Sequence, residues 1–378
     1  MALPTAFDVS LDELRARRSE KWRRYPADVL PAWVAELDFP LAPSVRAALA
    51  DAVERDDTGY ASAGDYPAAF ASFAQDRWGW SVDPARTLPV PDIMSGVAEL
   101  LGALTAPGDC VVVSPPVYPP FFKVVREVGR EVAEAPLGAD WRLDLHAIEN
   151  AFASGARGYL LCSPHNPTGT VHTREELAAV AELAARHDVL VIADEVHAPM
   201  TLPGATHVPY LEVGAENGIA LVSASKAWNV PGLKCALAVA GSERTAKLLR
   251  RVPEHVRFHI GHFGVLAGIA AFTDGRAWLD ALVAELDERR DRLADLLADR
   301  LPDVRHVRPE AGYLAWLDCR ELDLGDDPSE VFLERGRVAL SSGLPFGAQG
   351  KGFARLNIGT SAALLTEAVT RMRSALDR

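Results

Sequence analysis

Short apolar runs that alternate with longer amphipathic stretches constrain the fold of this 378-residue chain more than any other feature. Between about residues 45 and 275, the apolar runs have the length of buried strands, and they lie at 110–114, 158–162, 189–193, 219–222 and 236–240. Stretches with helical character lie at 97–106, 120–129 and 173–187. This alternation predicts an α/β fold whose mainly parallel sheet is covered by helices on both faces.

Lys226 lies just beyond the end of one predicted strand. It follows the run 219–222 among small hydroxyl side chains, those of Ser223 and Ser225. An amine that is partly desolvated and lies beside another cation has a lowered pKa and becomes nucleophilic towards aldehydes. The two hydroxyls could also hold a phosphate. The plain alternative is a surface lysine after a strand, which a short motif alone does not exclude.

Two more strand ends carry polar side chains. Asp194 follows the run 189–193, and a carboxylate at that end faces the ligand crevice of an open α/β sheet. It suits a cationic ring nitrogen, although aspartate is also a common helix N-cap. His197 could bind a ring oxygen or be an ordinary loop histidine. Asn166 lies in a proline-rich turn, either as a donor to a ligand or as part of a plain Asn-Pro turn.

Tyr118 and Ser95-Gly96-Val97 complete the set of candidate positions. Tyr118 follows the run 110–114 and could stack on an aromatic ligand, or it could be a core or loop tyrosine. Ser95-Gly96-Val97 opens a predicted helix, and the free N–H groups of a helix N-terminus suit a phosphate. An imine-forming lysine, a carboxylate for a ring nitrogen and a phosphate cradle are together what pyridoxal 5′-phosphate requires.

The chain resembles fold-type I pyridoxal-phosphate enzymes of the aminotransferase class I/II superfamily over nearly its whole length. Within the superfamily it most resembles the MalY/PatB branch of cystathionine β-lyase-like C–S lyases. His197 stands where most aminotransferases carry tyrosine. The other marks of the branch are Ser19-Glu20-Lys21-Trp22, Trp33-Val34-Ala35-Glu36-Leu37-Asp38-Phe39-Pro40, Tyr313-Leu314-Ala315-Trp316-Leu317-Asp318 and Gly352-Phe353-Ala354-Arg355-Leu356-Asn357.

The resemblance implies a role for each position around the cofactor ring. Lys226 carries the cofactor covalently and is the catalytic residue. Asp194 binds the ring nitrogen, and Asn166 and His197 bind the ring oxygen. Tyr118 stacks on the ring and also contributes to the substrate site.

The resemblance also assigns the phosphate and the substrate carboxylate. The phosphate-binding positions that it implies within one subunit are Gly96, Val97, Ser223, Ser225 and Lys234. It further implies a homodimer in which Tyr60 reaches the phosphate of the neighbouring subunit. Arg355 binds the substrate carboxylate, with Ala35 beside it. Lys234 is a departure, because superfamily members often carry arginine there, and Glu36 is another, because the branch usually has aspartate.

β-Elimination from L-cystathionine or a related L-cysteine S-conjugate is the reaction that the branch resemblance favours. The expected products are pyruvate, ammonia and a thiol. Transamination shares the early steps, so the sequence leaves it open. A regulatory binding protein with residual lyase activity is a third possibility, since some relatives are partners of transcription factors.

The composition of the chain and its lack of long apolar segments argue against several other classes of protein. A net charge of −13 argues against nucleic-acid binding, which needs a basic surface. No apolar run reaches the roughly 18 residues of a membrane span, and Met1–Asp8 lacks the features of a secretory signal. The scattered cysteines are expected to be reduced thiols of a cytoplasmic protein, and they are Cys110, Cys162, Cys235 and Cys319. No motif suggests a metal site.

Two domains are expected. Residues 45–280 form the large cofactor-binding domain, for which the resemblance implies a mainly parallel sheet of the seven-stranded type. Residues 1–44 and 281–378 form a smaller α+β domain. Its expected elements are a long helix at 277–301 that connects the two domains, strands at 312–318 and 353–358, a glycine-rich loop at 343–352 and a last helix at 362–376.

Overall fold

Strands and helices alternate through most of this computed structural model, which describes residue 7 and residues 9–377. Residues 1–6 and 8, on which the expectation of no secretory signal mostly depends, lie outside that part. The strands are β1 (Leu30–Pro31), β2 (Thr87–Val90), β3 (Cys110–Val113), β4 (Glu131–Glu134), β5 (Gly158–Cys162), β6 (Leu190–Asp194), β7 (Gly218–Val222), β8 (Ala236–Ala240), β9 (Arg305–Val307), β10 (Leu314–Asp318), β11 (Val338–Ala339), β12 (Ser341–Ser342) and β13 (Phe353–Asn357).

The α-helices of the same part of the chain are α1 (Leu11–Ala16), α2 (Glu20–Arg23), α3 (Pro43–Glu54), α4 (Tyr66–Trp78), α5 (Ile93–Leu104), α6 (Pro120–Glu127), α7 (Leu145–Ala153), α8 (Arg174–His187), α9 (Leu211–Gly214), α10 (Glu243–Leu249), α11 (His262–Phe272), α12 (Arg276–Arg300), α13 (Pro328–Glu334) and α14 (Ala362–Leu376). None of them is both long enough and apolar enough to cross a membrane.

The largest sheet has seven strands in the order β2-β8-β7-β6-β5-β3-β4. β8 runs antiparallel to both of its neighbours, and the other paired strands are parallel. The predicted mainly parallel α/β sheet is therefore confirmed. Because β8 reverses direction, the connection from β7 to β8 begins and ends at the same edge of the sheet. That reversal keeps Ser223, Lys226 and Lys234 together.

Helices cover both faces of this sheet. Alternate residues of a strand point to opposite faces, so Ile192 of β6 joins a core cluster with α5 and α6, whereas Val191 joins a second cluster with α7 and α8. The predicted helix at 173–187 begins with Thr173 as its N-cap, and Glu176 completes a reciprocal capping box. Apolar residues spaced with strand and helix periodicity therefore form the core on both faces of the sheet.

A second, antiparallel sheet has the strand order β12-β13-β10-β9. In it, Arg355 of β13 lies opposite Trp316 of β10. The 25-residue helix α12 precedes this sheet and matches the helix predicted at 277–301. The N-terminal segment joins this part of the molecule through β1, which pairs in parallel with β11.

One helix begins earlier than predicted. α5 begins at Ile93 rather than at Ser95 to Val97, because the carboxylate of Asp92 accepts a hydrogen bond from the N–H of Ser95 and caps the helix. The difference is two to four residues, at most about one helical turn. Gly96 and Val97 therefore lie inside the helix and not at its first free N–H groups.

Candidate active site

A cavity of about 350 Å³ opens at the carboxyl ends of the central strands. Open α/β sheets bind ligands at this edge. The structure brings ten of the sequence-predicted site residues into its lining, and these are Ala35, Tyr118, Asn166, Asp194, His197, Ser223, Ser225, Lys226, Lys234 and Arg355. Three others, Gly96, Val97 and Tyr60, are not among the lining residues.

Lys226 is half-buried beyond the end of β7. Its Nζ donates a hydrogen bond to the carbonyl oxygen of Ala35 at 3.2 Å. Burial and, to a smaller extent, the nearby charge of Arg355 lower the pKa of the Lys226 amine to about 8 against the opposing effect of Asp194. A larger share of the amine is therefore neutral near pH 7 to 8 than for an ordinary lysine, which suits a nucleophile towards a carbonyl carbon.

Asp194 is the last residue of β6 and is almost fully buried. Its Oδ1 accepts a hydrogen bond from the N–H of Val196 at 3.1 Å. Burial raises the pKa of the carboxyl to about 7, although that hydrogen bond and the charge of Lys226 lower it. Within the described chain no cationic side chain pairs with Asp194 at ion-pair distance, so this carboxylate suits a cationic group on a ligand.

His197 lines the cavity as a neutral imidazole. Burial and, to a smaller extent, the positive charges of Lys226 and Arg355 lower its pKa to about 3. Its ring lies edge-on to Tyr313, with 6.1 Å between the ring centroids. A neutral imidazole has one donor and one acceptor nitrogen, so His197 can donate to a ring oxygen without adding charge.

Arg355 crosses the cavity from β13. Its guanidinium donates to Asn166 Oδ1 at 2.9 Å, to the carbonyl oxygen of Trp33 at 3.1 Å and to Ser341 Oγ at 3.2 Å. Burial lowers the pKa of Arg355 to about 10, and its face lies 5.1 Å from the ring centroid of Phe346.

The Arg355 guanidinium is incompletely satisfied by the protein. Its Nε is buried without a hydrogen-bond partner, and no carboxylate among the described residues lies within ion-pair distance of it. A buried cation of this kind is costly unless it is paired. The geometry therefore leaves Arg355 available for a ligand carboxylate, which a guanidinium can bind in bidentate fashion.

Residues 33–38 form a strap across the cavity, which we call the 33–38 strap. Asn229 exchanges two hydrogen bonds with the backbone of Leu37, at 2.9 and 2.8 Å. Asn357 donates to the carbonyl oxygens of Val34 and Glu36, both at 2.7 Å. These contacts fix the backbone of Ala35 in the cavity wall.

Tyr313 also holds the strap, since its hydroxyl donates to the carbonyl oxygen of Ala35 at 3.0 Å. That carbonyl therefore accepts hydrogen bonds from both Tyr313 and Lys226. The sequence marked Tyr313 and Asn357 only as part of branch motifs and gave no role to Asn229. No local pattern announces their contacts, because their partners in the strap are about 190 to 320 positions away in the chain.

The end of the cavity beside the first turn of α5 suits an anion. Ile93 and Met94, in the first turn of α5, line it together with Ser225 and Lys234. The hydroxyl of Ser223 donates to the carbonyl oxygen of Cys235 at 2.7 Å and accepts from the N–H of Ser225 at 3.0 Å. Ser223 thus holds the loop, while the hydroxyl of Ser225 makes no protein hydrogen bond in the described structure.

Gly96 and Val97 contribute to this end only indirectly. The N–H of Gly96 donates to the carbonyl oxygen of Asp92 at 2.9 Å, so it is already part of the helix. A Cβ atom at Gly96 would lie 2.9 Å from Leu221 of β7, so glycine allows α5 to pack closely on the sheet. Sequence reasoning missed Asp92, Ile93 and Met94, although Asp92 before an apolar run is an N-cap signal.

Tyr118 and Tyr60 occupy contrasting positions. Tyr118 is partly buried in the cavity wall, where burial and the charge of Asp194 raise the pKa of its phenol. Tyr60 is 94% exposed on the outer surface of the chain. Tyr118 is thus available to a ring in the cavity, whereas Tyr60 does not reach the cavity of its own subunit.

The donor set of the cavity matches the chemistry of pyridoxal phosphate at each of its functional groups. The half-buried amine of Lys226 suits the carbonyl carbon, the buried carboxylate of Asp194 suits the ring nitrogen, and the helix N-terminus with Ser225 and Lys234 suits the phosphate. Arg355 remains for a substrate carboxylate. The described residues contain no cluster of three or more histidine, cysteine, aspartate or glutamate side chains placed to hold a metal ion.

Comparison with known proteins agrees with this geometry. The model of the family "Aminotransferase class I and II" matches residues 34–372. A relative from Mycobacterium leprae, whose name gives cystathionine β-lyase as a provisional assignment, is 49% identical over 97% of both chains. Cystathionine β-lyase PatB of Bacillus subtilis is 32% identical over 97% of this chain and 98% of its own.

Among solved structures, one from Corynebacterium diphtheriae, provisionally described as a pyridoxal-phosphate-dependent β-cystathionase, has a TM-score of 0.94. It is 36% identical to this chain and covers 98% of this chain and 99% of its own. The resemblance recognised in the sequence is therefore confirmed. The chain belongs to the aminotransferase class I and II family.

Proposed function

We propose that this protein is a pyridoxal-phosphate-dependent carbon–sulfur lyase. It carries out β-elimination on L-cystathionine or a related L-cysteine S-conjugate and forms pyruvate, ammonia and a thiol. The observation that carries the proposal is the cavity that places the amine of Lys226 and the carboxylate of Asp194 together with an unpaired, buried Arg355. The names of the relatives favour the lyase outcome over transamination.

In this proposal, some residues of the cavity bind the cofactor and the substrate, and Lys226 transfers the proton. When it is bound, pyridoxal phosphate supplies an electron sink for the charge that develops at the substrate α-carbon. Asp194 keeps the ring nitrogen protonated. Arg355 binds the substrate carboxylate and so orients the α-carbon. Lys226 then takes the α-proton on its Nζ, as a general base held in a water-poor wall.

Tyr118, Asn166 and His197 position the ring in this proposal. Tyr118 packs on its face, and the side chains of Asn166 and His197 hydrogen-bond its oxygen. Asn166 also accepts from Arg355 at 2.9 Å, so the ring and the substrate carboxylate are linked through one side chain. The thiolate is a good leaving group and needs little assistance from a general acid.

The deciding experiment is incubation of the purified protein with L-cystathionine, with and without an added keto acid. Keto-acid-independent release of pyruvate and a free thiol, in equal amounts, is expected. Amino transfer that requires the keto acid would instead identify an aminotransferase. Lys226→Ala serves as the control, since it should abolish turnover while it leaves the fold intact.

A homodimer with Tyr60 at a neighbouring phosphate is part of the same proposal. Its support is the 94% exposure of Tyr60, together with exposed Val53 and Phe258 on the same chain. The expected cytoplasmic location also stays a prediction.

The division into a large domain at 45–280 and a small domain at 1–44 and 281–378 is likewise a proposal. It is supported by the separation of the seven-stranded sheet, at 87–240, from the four-stranded sheet, at 305–357. Hydrogen exchange that reports different opening free energies for the two sheets would support it.

A further inference from the structure

The phosphate end of the cavity contains an acidic side chain, that of Asp92. Its Oδ1 accepts from the N–H of Ser95 at 2.8 Å and so caps α5. Its Oδ2 accepts from Nζ of Lys234 at 2.9 Å. Both Asp92 and Lys234 line the cavity. A carboxylate is unexpected where an anion binds, because like charges repel.

Asp92 is ionised at neutral pH. Burial alone would raise the pKa of its carboxyl, but the hydrogen bonds from Lys234 and Ser95 outweigh burial and leave the pKa below the usual aspartate value. Besides Lys226 and Arg355, Lys234 is the one lysine or arginine among the described residues that line the cavity, and the fourth basic side chain, His197, is neutral. The cation nearest to the phosphate position is therefore already paired with an anion of the same chain.

We propose that Asp92 is a positioning residue that sets the affinity of the protein for its cofactor by sharing Lys234 with the cofactor phosphate. This inference rests on the proposed function, since it takes pyridoxal phosphate as the ligand. Lys234 binds a phosphate as a point charge and not as a fork. A carboxylate that competes for it lowers the affinity of the site for the phosphate, while its other oxygen keeps the helix N-terminus in place.

The test is the dissociation constant for pyridoxal phosphate of the cofactor-resolved full-length protein, measured by tryptophan fluorescence quenching. Asp92→Asn keeps the oxygen that caps Ser95 and removes the negative charge, because Asn is as good an N-cap as Asp. The dissociation constant of Asp92→Asn should fall about tenfold, equivalent to roughly 1.4 kcal/mol. The constant for pyridoxal, which has no phosphate, should not change.

Asp144→Asn is the matched control. Asp144 caps α7 in the same way, with Oδ1 accepting from the N–H of Ala147 at 2.9 Å, but it does not line the cavity. Its substitution should leave both dissociation constants unchanged. Asp92→Ser, a second neutral N-cap, should reproduce the gain of Asp92→Asn if that variant folds poorly.

Whether Asp92 acts through Lys234 is tested by introducing Asp92→Asn into the Lys234→Gln variant. There the gain from Asp92→Asn should shrink to less than about twofold, since coupled residues give non-additive effects. An equal gain in both backgrounds, an equal gain for pyridoxal, or no gain in folded Asp92→Asn and Asp92→Ser would overturn the inference. A wild-type protein that binds no pyridoxal phosphate would overturn the proposed function instead.

Discussion

Burial, more than direct ion pairing, sets the charge state of the three central side chains of the cavity. It lowers the pKa of Lys226 to about 8 and that of Arg355 to about 10, and it raises the pKa of Asp194 to about 7. Among the described residues, none of these three groups has a partner of opposite charge at ion-pair distance. A ligand that carries a cation, a carboxylate and a carbonyl carbon relieves all three penalties together.

Asp194 should make the cofactor-free protein less stable as the pH rises. Its folded pKa of about 7 lies above the ordinary value of 3.8, so its favourable contribution is complete below pH 3.8 and is lost as the pH rises through 7. Over that window the slope approaches about 1.4 kcal/mol per pH unit for one group. Urea unfolding of wild type and Asp194→Asn between pH 4 and pH 8 measures it.

In that experiment, Asp194→Asn should gain stability relative to wild type with rising pH and level off above pH 7. A difference that is independent of pH would contradict the raised pKa. Adding pyridoxal phosphate should reduce the difference, because the carboxylate then has a cationic partner.

Arg355→Lys should lower kcat/KM for cystathionine while the cofactor stays bound. Lysine retains the charge but loses the bidentate fork and the contact to Asn166. An imperfectly paired carboxylate should cost about 2–4 kcal/mol, or roughly 30- to 1000-fold in catalytic efficiency. Steady-state kinetics and the cofactor absorbance are measured together. Unchanged efficiency, or loss of the cofactor, would assign Arg355 to the scaffold.

At the scale of single residues, the sequence predicted most of the side chains that line the cavity. A polar residue at the end of a buried strand can be placed without knowledge of the other elements. Lys226, Asp194 and Asn166 were found in this way. The residues that it missed depend on tertiary context. Tyr313 acts through a carbonyl oxygen contributed by the 33–38 strap, and Asp92 acts by moving the first turn of α5.

The 33–38 strap is the element that gives the cavity its wall, although it contains neither a helix nor a strand. Its backbone is held by the side chains of residues far along the chain, and Lys21 forms a buried ion pair with Asp38 at 2.8 Å at its end. Trp22 donates to the same carboxylate at 3.1 Å. The strap is thus fixed by polar contacts at both its middle and its end.

Asn229→Gly should loosen the strap without straining the chain. Asn229 has a φ of 56°, which glycine adopts freely, so the main loss is the pair of hydrogen bonds to Leu37. The free energy of unfolding should fall by about 1–3 kcal/mol, and kcat/KM should fall with it. Urea unfolding and steady-state kinetics provide the measurements.

Asp323→Gly is the control for that variant. Asp323 also has a left-handed backbone, with a φ of 52°, but it is exposed and lies outside the cavity. Its replacement should be neutral or slightly stabilising. Equal destabilisation by both variants would show that glycine itself, and not loss of the strap contacts, is responsible.

The sequence predicted helices and strands well where the apolar periodicity determines them. It failed where a capping residue determines the start of a helix or where a neighbouring strand determines the direction or existence of a strand. The apolar runs located β3, β5, β6, β7 and β8 to within a residue or two. The antiparallel direction of β8 has no signal in its own five apolar residues, because direction follows from the connection and not from the strand. The short strand β1 exists only through its pairing with β11.

At the scale of the whole molecule, the exposed Tyr60 fits the proposed homodimer, in which it reaches the phosphate of the neighbouring subunit. The proposed dimer predicts complementation between two defective subunits. Lys226→Ala and Tyr60→Ala, when mixed under conditions that exchange subunits, should form heterodimers in which one of the two sites carries both native residues. For a symmetric dimer with random exchange, about a quarter of wild-type activity should return.

Sedimentation of the same samples should show dimers throughout. Activity no greater than the average of the two parents would contradict a site shared between subunits. A fully active monomer would contradict the dimer itself.

The contacts that hold the 33–38 strap have a consequence for the folding of the protein during its synthesis on the ribosome. The strap is synthesised early, but Arg355 and Asn357, which hold it, emerge more than 300 residues later. At about 5–20 residues per second, this is a delay on the order of tens of seconds. A nascent chain that ends before these residues lacks the contacts that close the wall beside Lys226. The complete site can therefore form only after almost the whole polypeptide has been synthesised.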